Sequence, residues 1–191
     1  MRKLVYCVAS TIDGKIAGPD GADPTSWWPI PEDYLAHLIA ELPEILPAAA
    51  RDAFGVTAEG THFDTVLEGR HTYEIGTKAG VHNAYPHLRH LVFSTSLREV
   101  QDPKVELVAT DPVEKVRELK QEDGKDIWLC GGARLAGTLY DEIDRLIVKL
   151  GPLTTGAGIP FLSADFKPVT WRLTRHHALD SGALFLTYDR A

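Results

Sequence analysis

Short apolar runs alternate with helix-spaced apolar positions from Lys3 to Leu150, and two strand-like runs around a turn follow. Alternation of this kind predicts parallel strands joined by helical crossovers. The first run, residues 3–10 (KLVYCVAS), is continuously apolar, as expected for a strand covered on both faces. Further strands are expected at 64–68, 91–93, 105–108, 127–130 and 145–150. Pro31 opens a helix in which Leu35, Leu38, Ile39 and Leu42 share one face. Other helices are expected near 47–53, at 71–78, from the Asp111-Pro112 start signal, and at 134–142. The last two strands, near 168–177 and 183–189, flank Asp180-Ser181-Gly182, a hairpin signal. The predicted fold is α/β, with a mostly parallel central sheet, helices on both faces and an antiparallel C-terminal hairpin.

A chain of 191 residues with no repeat and no linker fits one domain spanning 1–191. The balance of 44% hydrophobic and 25% charged residues is that of a globular fold. A net charge of −7 argues against a nucleic-acid partner, which would need a basic face. It leaves room for a local basic pocket that binds a phosphorylated small molecule. No apolar run approaches the ~18 residues of a membrane span. The apolar segment after Met1-Arg2-Lys3 is too short for a signal-peptide core, so a cytoplasmic protein is expected. Cys7 and Cys130 lie in apolar runs and read as buried thiols rather than as a disulfide. His87 with His90, and His176 with His177, lack an accompanying acidic ligand motif, so no catalytic metal is expected.

Three segments carry the chemistry, and each follows a strand. Gly131-Gly132-Ala133 stands between a strand and a helix, where glycines admit a ligand to the backbone and the helix start favours an anion. A bare tight turn reads equally well from these residues alone. Gly69-Arg70-His71-Thr72-Tyr73-Glu74 repeats the arrangement, with Arg70 and Thr72 as phosphate contacts or as an ordinary helix start. Ser94-Thr95-Ser96 places hydroxyls after a third strand, for ribose or phosphate or simply for a turn. Ligands of open α/β sheets bind at the strand C-termini, and three contacts on one edge favour a dinucleotide over a single phosphate.

The segments Ala9-Ser10-Thr11-Ile12-Asp13-Gly14-Lys15-Ile16-Ala17, Gly69-Arg70-His71-Thr72-Tyr73-Glu74, Phe93-Ser94-Thr95-Ser96 and Cys130-Gly131-Gly132-Ala133-Arg134-Leu135 together resemble the dihydrofolate reductase superfamily. The chain is most similar to the branch holding the reductase domain of the bifunctional riboflavin-biosynthesis deaminase-reductase. The resemblance implies a dihydrofolate reductase-like three-layer fold, NADPH as cofactor, and a homodimer paired through a sheet edge, with the C-terminal hairpin as the suspected element. It implies that Cys130, Gly131, Gly132, Ala133, Arg134 and Leu135 lie along the cofactor pyrophosphate. Gly69, Arg70, His71 and Thr72 would hold the adenosine side. Ser94 and Thr95 would lie near its ribose, and Ala9 and Ile16 would face the nicotinamide. The chain's length leaves no room for a deaminase domain, and none is expected before residue 1.

The same resemblance implies a substrate site. Trp28-Pro29-Ile30-Pro31-Glu32-Asp33 matches the segment that brings an acid to the pterin in dihydrofolate reductases, which puts Asp33 in the catalytic acid role and Glu32 beside it. Both carboxylates also suit a helix N-terminus electrostatically. Cys7 would line the pocket. Lys149 stands where those enzymes carry a hydroxyl residue that supports the acid, and Arg89 lies near their glutamate-tail contact, although a surface arginine is the plainer reading. Residues 43–63 form a longer connection than the family pattern. The function implied is an NADPH-dependent reductase of a pyrimidine or pterin-like small molecule, most similar to 5-amino-6-(5-phosphoribosylamino)uracil reductases. A dihydrofolate reductase-like pterin reductase and a non-catalytic nucleotide-binding dimer are the alternatives.

Overall fold

A computed structural model of the chain describes residues 1–22 and 24–191. Its eight-stranded sheet is built from β1 (Leu4–Ser10), β3 (Phe63–Gly69), β4 (Arg89–Phe93), β5 (Val105–Val108), β6 (Asp126–Gly131), β7 (Arg145–Leu150), β9 (Trp171–Ala178) and β10 (Leu184–Arg190). The spatial order is β5-β4-β3-β6-β1-β7-β10-β9. The strands from β5 through β7 run parallel, and β10 and β9 add an antiparallel edge. A small ribbon of β2 (Lys15–Ala17) and β8 (Ile159–Pro160) lies apart. The helices are α1 (Glu32–Glu41), α2 (Ala48–Ala53), α3 (Arg70–Lys78), α4 (Pro112–Gln121) and α5 (Ala133–Thr138). Among the described residues no helix is long and apolar enough to cross a membrane.

Strand alternation divides the core into two layers. Leu4, Tyr6 and Val8 of β1 join Leu67, Leu129, the α4 and α5 residues Val116, Leu119 and Leu135, and Leu139 just after α5 on one face. Val5 and Cys7 point to the other face, with Tyr34 and Leu38 of α1, Leu42 just after it and Phe185 of β10. Because both faces of β1 are covered, its sequence shows no polar alternation. Asp111 caps α4 as its sequence announces, its Oδ1 accepting from Val113 N at 2.8 Å. The helix expected over 134–142 ends earlier: α5 stops at Thr138, and a separate 3-10 turn covers Tyr140–Glu142.

The long connection between α1 and β3 is organised by Glu44, which is 1% exposed. Its Oε1 accepts from His62 N at 2.7 Å and from Phe63 N at 3.0 Å. Gly60 packs over the same side chain; a Cβ there would sit 2.3 Å from Glu44 Cβ, which excludes every other residue. Burial pushes the Glu44 pKa up, but the hydrogen bonds from the His62 ring and from the His62 and Phe63 amides outweigh it, so the net shift is downward.

A carboxyl lowered by folding contributes stability above its unfolded value, and that stability is lost as pH falls through the folded value. Thermal midpoints should therefore fall as the pH drops below 4.5, the ordinary glutamate value. Glu44→Gln should start less stable at neutral pH and lose less over that acid window. Melting curves recorded in steps from neutral to acid pH check this; parallel acid slopes in the two proteins would refute it.

Candidate active site

The C-terminal ends of β1, β3, β4, β6 and β7 share one edge of the sheet, and most of the predicted site residues meet there. The backbones after β3 and β6 come closest. A Cβ on Gly69 would lie 3.5 Å from Leu135 Cβ, 3.6 Å from Gly131 O and 3.7 Å from Gly132 N. A Cβ on Gly132 would lie 3.3 Å from Thr72 Oγ1. Gly131 adopts φ of 133°, a conformation that strongly favours glycine, and the Gly131–Gly132 peptide is cis. The result is an open cradle of bare backbone between the first turns of α3 and α5. Gly69, Thr72, Gly131, Gly132 and Leu135 are thus brought together.

The charged and hydroxyl groups predicted for the cofactor lie around this cradle. Arg134 is exposed on the first turn of α5 and has no ion-pair partner among the described residues. Arg70 reaches Glu74 at 3.4 Å and His71 at 3.5 Å, so it carries a weak surface pair. Ser94 follows β4, and its Oγ accepts from Ser96 N and Leu97 N at 3.2 and 2.9 Å, which makes it a turn former; Thr95 is exposed beside it. Ala133 is buried at the base of α5. Ala9 and Ile16 are near the same edge on different layers: Ala9 pairs with Lys149 in register, while Ile16 packs on the α4 and α5 side. The glycine cradle, the free Thr72 hydroxyl and Arg134 suit a dinucleotide pyrophosphate.

The α1 side of the edge holds the predicted substrate residues. Trp28 is buried against Gly151, just past β7, and contacts Trp27 with ring centroids 5.6 Å apart. Lys149 faces the α1 layer between Ala9 and Phe185. Burial works against its charge, but Tyr34, Cys7 and Cys130 favour it, and its pKa stands above the ordinary value. Cys7 and Cys130 are free thiols. Burial pushes the Cys7 thiol up to about 11, and burial and then Glu68 raise Cys130 well above its usual range, so both are neutral pocket walls rather than nucleophiles.

Asp33 is held differently from the expectation of a catalytic acid. Its Oδ2 accepts from Ser181 N at 2.8 Å and its Oδ1 from Tyr34 N at 2.7 Å. The Ser181 amide is the main cause that lowers its pKa, so Asp33 is a carboxylate that ties α1 to the turn before β10. Glu32 is exposed in the same first turn. Arg89 follows the plainer reading, an exposed arginine, and the substrate-tail contact is corrected. It opens β4 and therefore lies at the opposite end of the sheet from the strand C-termini. There it pairs with Glu122 at 2.8 Å and Glu106 at 3.0 Å.

Sequence reasoning missed Glu68 and His90. They are 5% and 1% exposed, with Glu68 Oε2 2.8 Å from His90 Nε2. His90 Nδ1 faces Asn83 Oδ1 at 3.1 Å, an oxygen that also accepts from Tyr85 N. Both ring nitrogens are thus held by side chains of the fold. Glu68 also adds to the burial that keeps the Cys130 thiol protonated. The available signal was a charged residue inside the apolar run Asp64–Gly69.

A family model described as the RibD C-terminal domain matches residues 2–185. The chain belongs to the RibD C-terminal domain family. Among its relatives is the uncharacterized protein YwjB of Bacillus subtilis (strain 168), 30% identical over 161 residues, covering 83% of this chain and 82% of YwjB. The uncharacterized YyaP of the same organism is 23% identical over 200 residues, covering 98% of this chain and 94% of YyaP. Two solved structures share the fold. A protein from Shewanella sp. PV-4 ascribed to riboflavin biosynthesis superposes with a TM-score of 0.72 at 19% identity, covering 100% of this chain and 99% of that one. A diaminohydroxyphosphoribosylaminopyrimidine deaminase/5-amino-6-(5-phosphoribosylamino)uracil reductase from Thermotoga maritima gives 0.65 at 19% identity, and the match covers 100% of this chain and 57% of that longer one.

Within this RibD C-terminal fold the Glu68–His90 pair should behave as a buried unit. Removing one partner of a buried hydrogen-bonded pair typically costs about 1–3 kcal/mol, because the other polar group is left unsatisfied. His90→Phe alone should be destabilised by that order. Adding Glu68→Leu should recover much of the loss. Urea unfolding of the single and double variants measures the coupling, and additive losses would show that the two side chains do not act together.

Proposed function

We propose that the chain is an NADPH-dependent reductase of a small pyrimidine substrate, of the riboflavin-pathway kind. The observation that carries this reading is the cradle of Gly69, Gly131 and Gly132 beside the Thr72 hydroxyl. Bare backbone on two neighbouring strand ends lets a ligand approach closely there. Gly131, Gly132 and Leu135 would border the pyrophosphate, with Arg134 and Arg70 offsetting its charge. Ser94 and Thr95 would flank the adenosine ribose, and Ala9 and Ile16 would border the nicotinamide. The cofactor, when bound, supplies the hydride. The chain's own residues bind it, orient the ring at the β1 and β7 ends, and exclude water with Trp28, Cys7 and Tyr34.

A second reading, a nucleotide-binding protein without turnover, draws on Asp33, whose oxygens are already engaged by two amides. A pterin reductase is the weaker reading for the same reason, since it would need that carboxylate free for the ring.

Titration with NADPH, followed by tryptophan emission, should saturate with a dissociation constant between about 1 μM and 1 mM, the usual range for enzyme substrates. Gly132→Val places methyls in the cradle and should weaken binding by roughly tenfold or more, about 1.4 kcal/mol. No saturation at several millimolar cofactor, or an indifferent Gly132→Val, overturns the cofactor reading. Consumption of NADPH with a ribosylaminopyrimidine separates the reductase from the silent binder.

We also propose a homodimer formed through the hairpin edge. β9 is an eight-residue edge strand, and an edge that long presents unpaired backbone groups for a second copy. Light scattering should give twice the 21.0 kDa chain mass. A mass equal to one chain refutes the pairing.

A further inference from the structure

Helix α1 meets the C-terminal hairpin along one stripe of side chains. Asp33, His37 and Glu41 stand four residues apart and share a face of the helix. Each has a partner on the hairpin. Asp33 Oδ2 accepts from Ser181 N at 2.8 Å, and Glu41 Oε2 lies 2.9 Å from Arg175 Nη1. Between them the His37 ring stacks on the His177 ring of β9, with centroids 4.3 Å apart and planes 7° from parallel. Phe185 of β10 meets His37 in a T-shaped contact at 4.4 Å, and Tyr34 of α1 packs on Phe185 at 5.2 Å.

Two stacked imidazoles repel once both carry charge, and like charge disfavours the second proton. The surrounding charges do not relieve this evenly. On α1 the pair faces Glu41, with Asp33 and Glu32 toward the helix start and Asp180 in the turn beside them. On β9 it faces Arg175, while His176 points to the opposite side of the sheet. On β10 it faces Phe185, and Lys149 of β7 stands in register beyond that ring. His62, in the connection before β3, acts on Glu41. Burial holds the His37 ring below the ordinary imidazole value of 6.5; His177 adds to this, Glu41 opposes it and Arg175 adds a further share. A base lowered by folding gives a contact that is present above its unfolded value and lost as pH falls below it. Asp33 and Glu41 lie below the ordinary carboxylate values, so their own bonds persist through the window in which an imidazole charges.

We propose that the His37–His177 stack is an acid-sensitive latch, through which proton uptake in mildly acid solution frees α1 from the hairpin while the glycine cradle stays closed. The cradle rests on β3 and β6 and shares no contact with the stripe. The α1 side chain Tyr34 packs in the same layer as Cys7, so release of the latch loosens that wall of the ligand edge. The latch holds whichever ligand the edge takes.

Amide hydrogen exchange on the whole protein tests it, because exchange reads local opening element by element. Measurements at about pH 7.5 and about pH 5.5, corrected for intrinsic exchange, lie one unit either side of the ordinary imidazole value. Protection of residues 33–41 and of β9 should fall roughly tenfold between them, the gain in protons of one released imidazole. Protection in β3 and β6 should not change. His37→Phe keeps an uncharged ring between His177 and Phe185, and its α1 protection should be the same at both pH values. Native α1 protection that does not fall, a fall of the same size in His37→Phe, or a parallel fall across β3 and β6 overturns the latch. If His37→Phe does not fold, His177→Phe tests the stack from the other side and should lose clearly less protection than the native protein; an equal loss refutes the assignment.

Discussion

The close approach of the backbones after β3 and β6 governs the rest of the ligand edge. Gly69 lies beside Gly131 O and Gly132 N, where an added Cβ would make contacts of 3.6 and 3.7 Å. That contact sets the starts of α3 and α5 side by side, so Gly69 approaches Leu135 although 66 positions separate them. Parallel register does the remainder. β6 lies beside β1, and β1 beside β7, so residues near 9, 70, 131 and 149 end on one side of the sheet. A βαβ architecture brings distant segments together only at strand ends, and these are the strand ends that carry glycines.

The two ends of the sheet differ in how they treat charge. At the strand N-termini Arg2 pairs with Asp64, Arg89 with Glu106 and Glu122, and Arg145 with Asp189, while Arg190 donates to the Ile143 and Tyr140 carbonyls. Those pairs hold loops and strand starts in place. At the C-termini, Arg134 and Lys149 have no such partner among the described residues. The chain as a whole carries −7, so the unmatched positive charge at one edge is a matter of placement rather than supply. Placement of that kind gives an anionic ligand its orientation on arrival.

Much of this was legible in the amino-acid sequence, and the failures have physical reasons. Continuous apolar runs mark strands covered on both faces, so β1, β3, β6 and β7 stood out within a residue or two. The Asp111 cap and the Gly131-Gly132 break are local signals, and local signals survive folding. The β2–β8 ribbon did not stand out, because strands of three and two residues, one of them holding Pro160, have no periodicity to read. Arg89 was misplaced because spacing along a chain does not say which end of a strand a residue occupies. Glu68 and Asp33 depend on partners at His90 and Ser181, and a bond across 148 positions leaves no mark on the local pattern.

The polarity of the α1 layer follows from those long-range bonds. Asp33 stands in the segment that resembles the acid-bearing stretch of dihydrofolate reductases, yet both its oxygens serve as struts between α1 and the hairpin. Ser181 belongs to the turn before β10, and β10 pairs with β7, so the same hairpin that occupies Asp33 also frames Lys149 through Phe185. The glycine cradle comes from β3 and β6 and does not depend on this bond. The two parts of the edge rest on different strands, so the α1 layer can change its hydrogen bonding while the backbone approach after β3 and β6 stays as it is.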